Sequence, residues 1–118
     1  MQQTGILIST SEAAATLTVG TDAFRNDRKR TSSRGRAISG IALVGSAAIN
    51  DTEIDLYAGD YYFGRFRNSR AGVVAPILPD DLQPIRPTYV APGDALTAIV
   101  VDAPATNPLL IQVYGREF

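Results

Sequence analysis

Between Arg25 and Arg36 the chain carries Arg25, Arg28, Lys29, Arg30, Arg34 and Arg36 against Asp27 alone, a net charge of +5 in twelve residues. Cations at this density can neutralise phosphates and release their counterions, which is salt-dependent nucleic-acid contact without sequence choice. Ser32, Ser33 and Gly35 would let such a loop follow a phosphate backbone, yet Phe24 at its edge is the one aromatic placed to stack on bases. Arginine suits acidic surface on a neighbouring subunit equally well, and a charge block can also be a plain solvated loop. The protein-interface reading leads.

Three other sets of residues invite chemistry. Asp51, Glu53 and Asp55 alternate with Thr52, Ile54 and Leu56. Oxygen ligands of this kind can hold calcium. Alternate strand residues stand about 7 Å apart, however, too far for three carboxylates to meet on one ion, so a charged strand face is the simpler reading. Asp80-Asp81 sits in the proline-rich run Pro76–Pro84; acid–base pairs must bracket a substrate, which adjacent residues in a stiff connector do not do. Tyr57, Tyr61, Tyr62, Phe63 and Phe66 form an aromatic cluster in which Tyr61 and Tyr62 are candidate exposed contacts for a sugar ring or a protein.

Covalent catalysis finds no machinery. Histidine and cysteine are absent, so Ser32 and Ser33 have no imidazole base. The single lysine, Lys29, precedes them, the wrong order for Ser-x-x-Lys. No Gly-x-Gly-x-x-Gly or P-loop occurs. The expectation is a non-enzyme with no catalytic residue, metal site or cofactor.

The elements that must carry these residues follow from composition and punctuation. The chain has 118 residues, 11 basic and 12 acidic, for a net charge of −1. Five cations and eleven acids lie outside the basic segment, so the remainder is net −6. The length fits one domain over residues 1–118. The longest uncharged stretches are broken by Gly, Pro, Ser, Thr or Asn, and neither a membrane span nor a signal peptide is expected.

Ten glycines and seven prolines divide the chain into short runs of Val, Ile, Leu, Thr and Tyr. That pattern predicts an all-β, antiparallel β-sandwich of about eight strands. The expected strands are Ala14–Val19, Ala37–Val44, Thr52–Ala58, Tyr61–Phe66, Gly72–Ala75, Ile85–Val90, Leu96–Val101 and Leu109–Tyr114. Met1–Ser11 reads as an N-terminal arm able to add a strand to a partner, and residues 25–36 as a basic loop. Strict alternation points Ile54 and Leu56 inward. A turn at Ala58-Gly59-Asp60 makes a hairpin with Tyr61, Phe63 and Arg65 on one side and Tyr62 and Phe66 on the other. Pro92-Gly93 predicts a second turn. Leu96–Val101, apolar on both faces, is expected to be a central strand.

The runs Ile54-Asp55-Leu56-Tyr57-Ala58-Gly59-Asp60, Val90-Ala91-Pro92-Gly93-Asp94-Ala95-Leu96 and Asn107-Pro108-Leu109-Leu110-Ile111-Gln112-Val113 carry a resemblance across residues 37–118. In this pattern of strands and turns the chain resembles the small single jelly-roll structural proteins of phages and other viruses. These are capsid, penton, spike-base and decoration proteins. The resemblance implies a homo-oligomer contacting other capsid subunits in a virion, with a cytoplasmic location as the alternative. A carbohydrate- or nucleic-acid-binding sandwich module is the competing function.

Overall fold

A segment with Ile, Leu or Val at every second position buries one face and leaves the other to polar side chains. The computed structural model describes residues 5–71, 77, 79–105 and 108–118. Its strands are β1 (Gly5–Glu12), β2 (Arg36–Gly45), β3 (Glu53–Ala58), β4 (Tyr61–Arg67), β5 (Leu82–Val90), β6 (Leu96–Asp102) and β7 (Leu109–Glu117), and the rule is plainest in β6 and β7. One antiparallel sheet has the order β1-β7-β2-β5 and the other β4-β3-β6. The protein is an all-β sandwich, as the punctuation predicts. Ile8, Ile41 and Ile111 from the first sheet meet Ile54, Leu56 and Val100 from the second in one core. No helix among the described residues is long and apolar enough to cross a membrane.

Residues 20–23 act as a reduced eighth element along β6. Asp22 bridges Ile99, the Gly20 and Ala23 amides donate to the Val100 and Ala98 carbonyls (both 2.8 Å), and Val100 N–H donates to Thr21 O (2.9 Å). The pairing is then nested. First meets last (β1 with β7), second meets seventh (20–23 with β6), third meets sixth (β2 with β5) and fourth meets fifth (β3 with β4). Two four-element sheets wound this way are a jelly roll.

Several expectations need correction. The first strand is not Ala14–Val19, where Ala14–Thr16 is a 3₁₀ turn and Leu17 is buried. The alanines favour a helical turn, and Thr16 Oγ1 closes it on Glu12 Oε2 (2.8 Å). The strand lies earlier, where Met1–Ser11 reads as an arm. From Gly5 onward that segment pairs with β7 of its own chain. β6 ends the ladder β4-β3-β6, but residues 20–23 pair along its open edge, so it lies between two neighbours as a central strand does. The expected strand Gly72–Ala75 lies outside the described residues.

The hairpin sides shift because Phe63 is an extra residue: Leu56 faces Gly64 and Tyr57 faces Tyr62. This bulge, with Gly64 at φ 135°, resets the alternation and moves Arg65 to the side of Tyr62. Both turns form as expected. Gly59 (φ 56°) turns β3 into β4, and Gly93 (φ 86°) follows Pro92 in a turn closed by Asp94 N–H on Ala91 O (3.2 Å).

Asn68 is fully buried and ties the β2–β3 connection to the end of β4. Its Oδ1 accepts from Thr52 N–H (3.1 Å), and its Nδ2 donates to the carbonyls of Gly45 (2.9 Å) and Ala48 (2.8 Å). Asn68→Ala strands three backbone groups and is expected to cost roughly 2–4 kcal/mol, read as a lower urea midpoint.

Candidate interaction surface

The basic segment is held by its own backbone. Asp27 caps the 3₁₀ turn Arg28–Arg30, with Oδ1 accepting from Lys29 N–H (2.9 Å). Its Oδ2 accepts from Thr10 Oγ1 (2.7 Å), which pins the turn to β1. Arg36 shares with Ile38 the alternation of β2 and points into the end of the sandwich, where it is 1% exposed. Its guanidinium donates to three carbonyls: Lys29 (2.9 Å), Arg30 (3.2 Å) and Asp94 (2.9 Å). Burial lowers its pKa from the ordinary arginine value, and the charges of Glu117 and Asp94 oppose that shift. Arg36, expected among the contact residues, is therefore an internal anchor. The physical reason is the turn's inward carbonyls, which need a multidentate donor.

The other five cations divide. Arg25 reaches Glu12 (3.4 Å) and the Asp22 carbonyl (3.0 Å), and Arg30 reaches Asp22 (3.4 Å) and the Arg25 carbonyl (3.5 Å); both are half-buried. Arg28, Lys29 and Arg34 are exposed, with no ion pair among the described residues. The loop beyond them is ordered by Ser32, whose hydroxyl donates to Glu117 (3.1 Å) and accepts from Arg34 N–H (3.1 Å). Gly93 N–H donates to the Ser32 carbonyl (2.8 Å). Six sequence cations thus become three outward charges on a braced turn.

A feature the sequence reading missed lies beside this turn. Tyr89 (62% exposed) and Phe118 (45% exposed) stand with ring centroids 6.1 Å apart, and Arg116 lies 5.4 Å over Phe118. The available signal was the outward place of Tyr89 in the alternation before buried Val90.

The acidic face of β3 is a ladder of ion pairs. Arg65 grips Asp55 through Nε (3.0 Å) and Nη2 (3.2 Å), while Arg67 reaches Glu53 (2.8 Å). These arginines stand directly opposite their acids across the β3–β4 register. Asp51 lies off the strand and accepts from Ser46 and from Ala47 N–H (3.3 Å). No group of three or more acidic side chains among the described residues is placed to hold a metal ion. Asp81 is buried and held by Arg70 (2.8 Å) and Ser69 (2.9 Å), whereas its neighbour Asp80 is exposed.

Of the two candidate tyrosines, Tyr62 donates its hydroxyl to Asp55 (3.0 Å) and packs on Tyr57 at 5.1 Å. Tyr61 is 56% exposed and meets Phe63 edge-on at 5.0 Å. Burial and the Asp55 hydrogen bond raise the Tyr62 pKa. Both tyrosines are exposed as expected, Tyr62 at 47%; the Tyr62 hydroxyl is held by Asp55, which leaves Tyr61 the freer contact.

The Arg65 hydrogen bonds hold Asp55 below the ordinary carboxylate range. The unfolded chain therefore takes up the proton first. The stabilisation is fully present above the ordinary carboxylate pKa and is lost as pH falls through the lower folded value. Asp55→Asn is expected to be less stable at neutral pH and to show a shallower acid-side decline, measured by urea midpoints across an acid titration.

No protein-family model, curated protein or solved structure matches the chain.

Proposed function

We propose that the protein is a non-enzymatic structural subunit of a virion, a capsid, decoration or penton/spike-base component that works by packing against copies of itself and other capsid subunits. The observation that carries this reading is the braced presentation of Arg28 and Lys29 on a turn locked from beneath by Arg36, with Arg34 in the adjoining loop that Ser32 orders. A contact surface ordered in advance loses less entropy when a partner binds. Acids for these cations are present on a second copy, because the chain outside residues 25–36 is net −6. The jelly-roll winding supports the reading, viral capsid domains being among the proteins built this way.

Light scattering and electron microscopy across protein concentration test it. Assembly that grows with concentration is expected, and the charge-reversed Arg28→Glu/Lys29→Glu/Arg34→Glu variant should remain folded yet lose it. A wild-type chain that stays monomeric at every concentration and salt overturns the reading.

The three unpaired cations favour one second reading, contact with nucleic acid. With three outward charges, the dependence of log affinity on log salt should have a slope near −3, since each neutralised phosphate contributes about −0.9. Six freely mobile cations would give about twice that.

A further inference from the structure

We propose that the outer edge of β1 is a homotypic docking site, on which a second copy of this chain lays its own β1 antiparallel and joins the two four-stranded sheets into one. The inference rests on the assembly reading above and names a contact within it.

Among the described residues the two sheets end at four strands, and three of these edges are closed. β5 carries Pro84 and Pro87, and its segment Ile85–Pro87 bulges out of register between Pro84 and Thr88. β4 is bent by the Phe63 bulge and bordered by Arg65 and Arg67. β6 is covered by residues 20–23. β1 ends its sheet, contains no proline and bears no charge before Glu12. Its one irregularity is an extra residue at Leu7, and Ile8–Glu12 runs in unbroken register with β7.

Clefts of about 500 and 470 Å³ lie against the two halves of β1. Arg28 and Lys29 wall both of them. An unpaired strand edge with open space beside it offers backbone donors and acceptors to an extended chain. On a second copy the matching unblunted edge is β1 itself, which makes the contact isologous about a two-fold axis.

Charge sets the direction. The cleft at the Gly5–Leu7 end of β1 is lined by Arg28, Lys29 and Arg116 against Glu117, and the cleft at the other end by the same Arg28 and Lys29 against Glu12 and Asp27. Antiparallel pairing sets the net-positive end beside the balanced one twice, whereas parallel pairing would bring the two net-positive ends together. Ile6, 52% exposed in the single chain, is covered by the contact.

Because the chain contains no cysteine, Ser9→Cys installs a unique thiol for a nitroxide label on β1, and Asp60→Cys does so at the β3–β4 tip. Under oligomer-forming conditions strong dipolar broadening is expected from the Ser9 label and none from the Asp60 label. Ser11→Lys sets a cation beside the partner's net-positive Gly5–Leu7 end and should raise the dimer dissociation constant at least about tenfold. Ser9→Lys, near the middle of β1, brings two like charges together at the axis and serves the same purpose if Ser11→Lys perturbs the fold, which circular dichroism checks. An oligomer that shows no broadening at Ser9 and ignores both lysines overturns the edge contact and leaves the assembly reading standing. A wild-type chain that remains monomeric overturns both.

Discussion

Arg36→Ala is expected to lose on the order of 5 kcal/mol of stability, enough to unfold much of the population of an ordinary small domain. The side chain is among the largest fully buried ones in the protein. Its removal strands the carbonyls of Lys29, Arg30 and Asp94 and empties the space beneath the basic turn. Both effects are costly: an unsatisfied buried acceptor costs about 1–3 kcal/mol and a cavity of this size a comparable amount. Arg36→Lys keeps the charge but offers an ammonium in place of a planar fork, so rescue should be partial. Urea denaturation of the three proteins measures the series. Equal midpoints for wild type and Arg36→Ala would mean that the turn is braced by something other than this guanidinium. A weaker variant, Arg36→Met, fills the space without donors and divides the loss between packing and hydrogen bonding.

Gly115→Ala should be as damaging for a different reason, with a loss of about 4 kcal/mol or more. Gly115 lies in β7 between Gly5 of β1 and Ile38 of β2. A Cβ there would run into the Ala37 carbonyl oxygen and sit 3.0 Å from Ile38 Cα. These are backbone atoms of the adjoining strand, so no side chain can swing aside and the ladder must part. Gly5→Ala is the internal control. Its Cβ would have nothing within 4 Å, and a change within about 0.5 kcal/mol is expected. Thermal unfolding of the pair distinguishes steric exclusion at Gly115 from a general intolerance of alanine in this register.

The legible parts of the fold were those where burial and period agree. Ile54 and Leu56 alternate with acids, and Leu109, Ile111 and Val113 alternate through β7, so side-chain spacing alone places them inward. The turn at Pro92-Gly93 was equally plain, because the two residues encode its backbone angles. Bulges were not legible. An extra residue at Leu7, Ser39 or Phe63 leaves no mark in composition, yet each reverses every side assignment beyond it. The intrachain pairing of β1 was hidden for a related reason, since its polar Ser-Thr-Ser run leaves only Leu7 and Ile8 to reach the core and the segment reads as an arm for a partner. At the candidate surface the clustering of cations was visible, but their division was not. Which arginine goes inside depends on carbonyls from Lys29, Arg30 and Asp94, brought together only by the turn and the β5–β6 connection. The one available clue was that position 36 is two residues before Ile38, on the inward phase of β2.

The nested order of pairing also has a consequence in time. β7 lies between β1 and β2, so β1 waits for β7, made about a hundred residues later, before its sheet can close. Contacts so distant along the chain make folding slow, because the loop entropy must be lost before the contacts return it. During translation β1 is a free β-prone segment with both sides unsatisfied, able to pair with a neighbour on the same messenger. Interrupting synthesis before Leu109 should therefore release chains that aggregate rather than partly folded sandwiches. The jelly roll makes the arrival of β7, more than the length of chain already made, the event that commits these strands to fold.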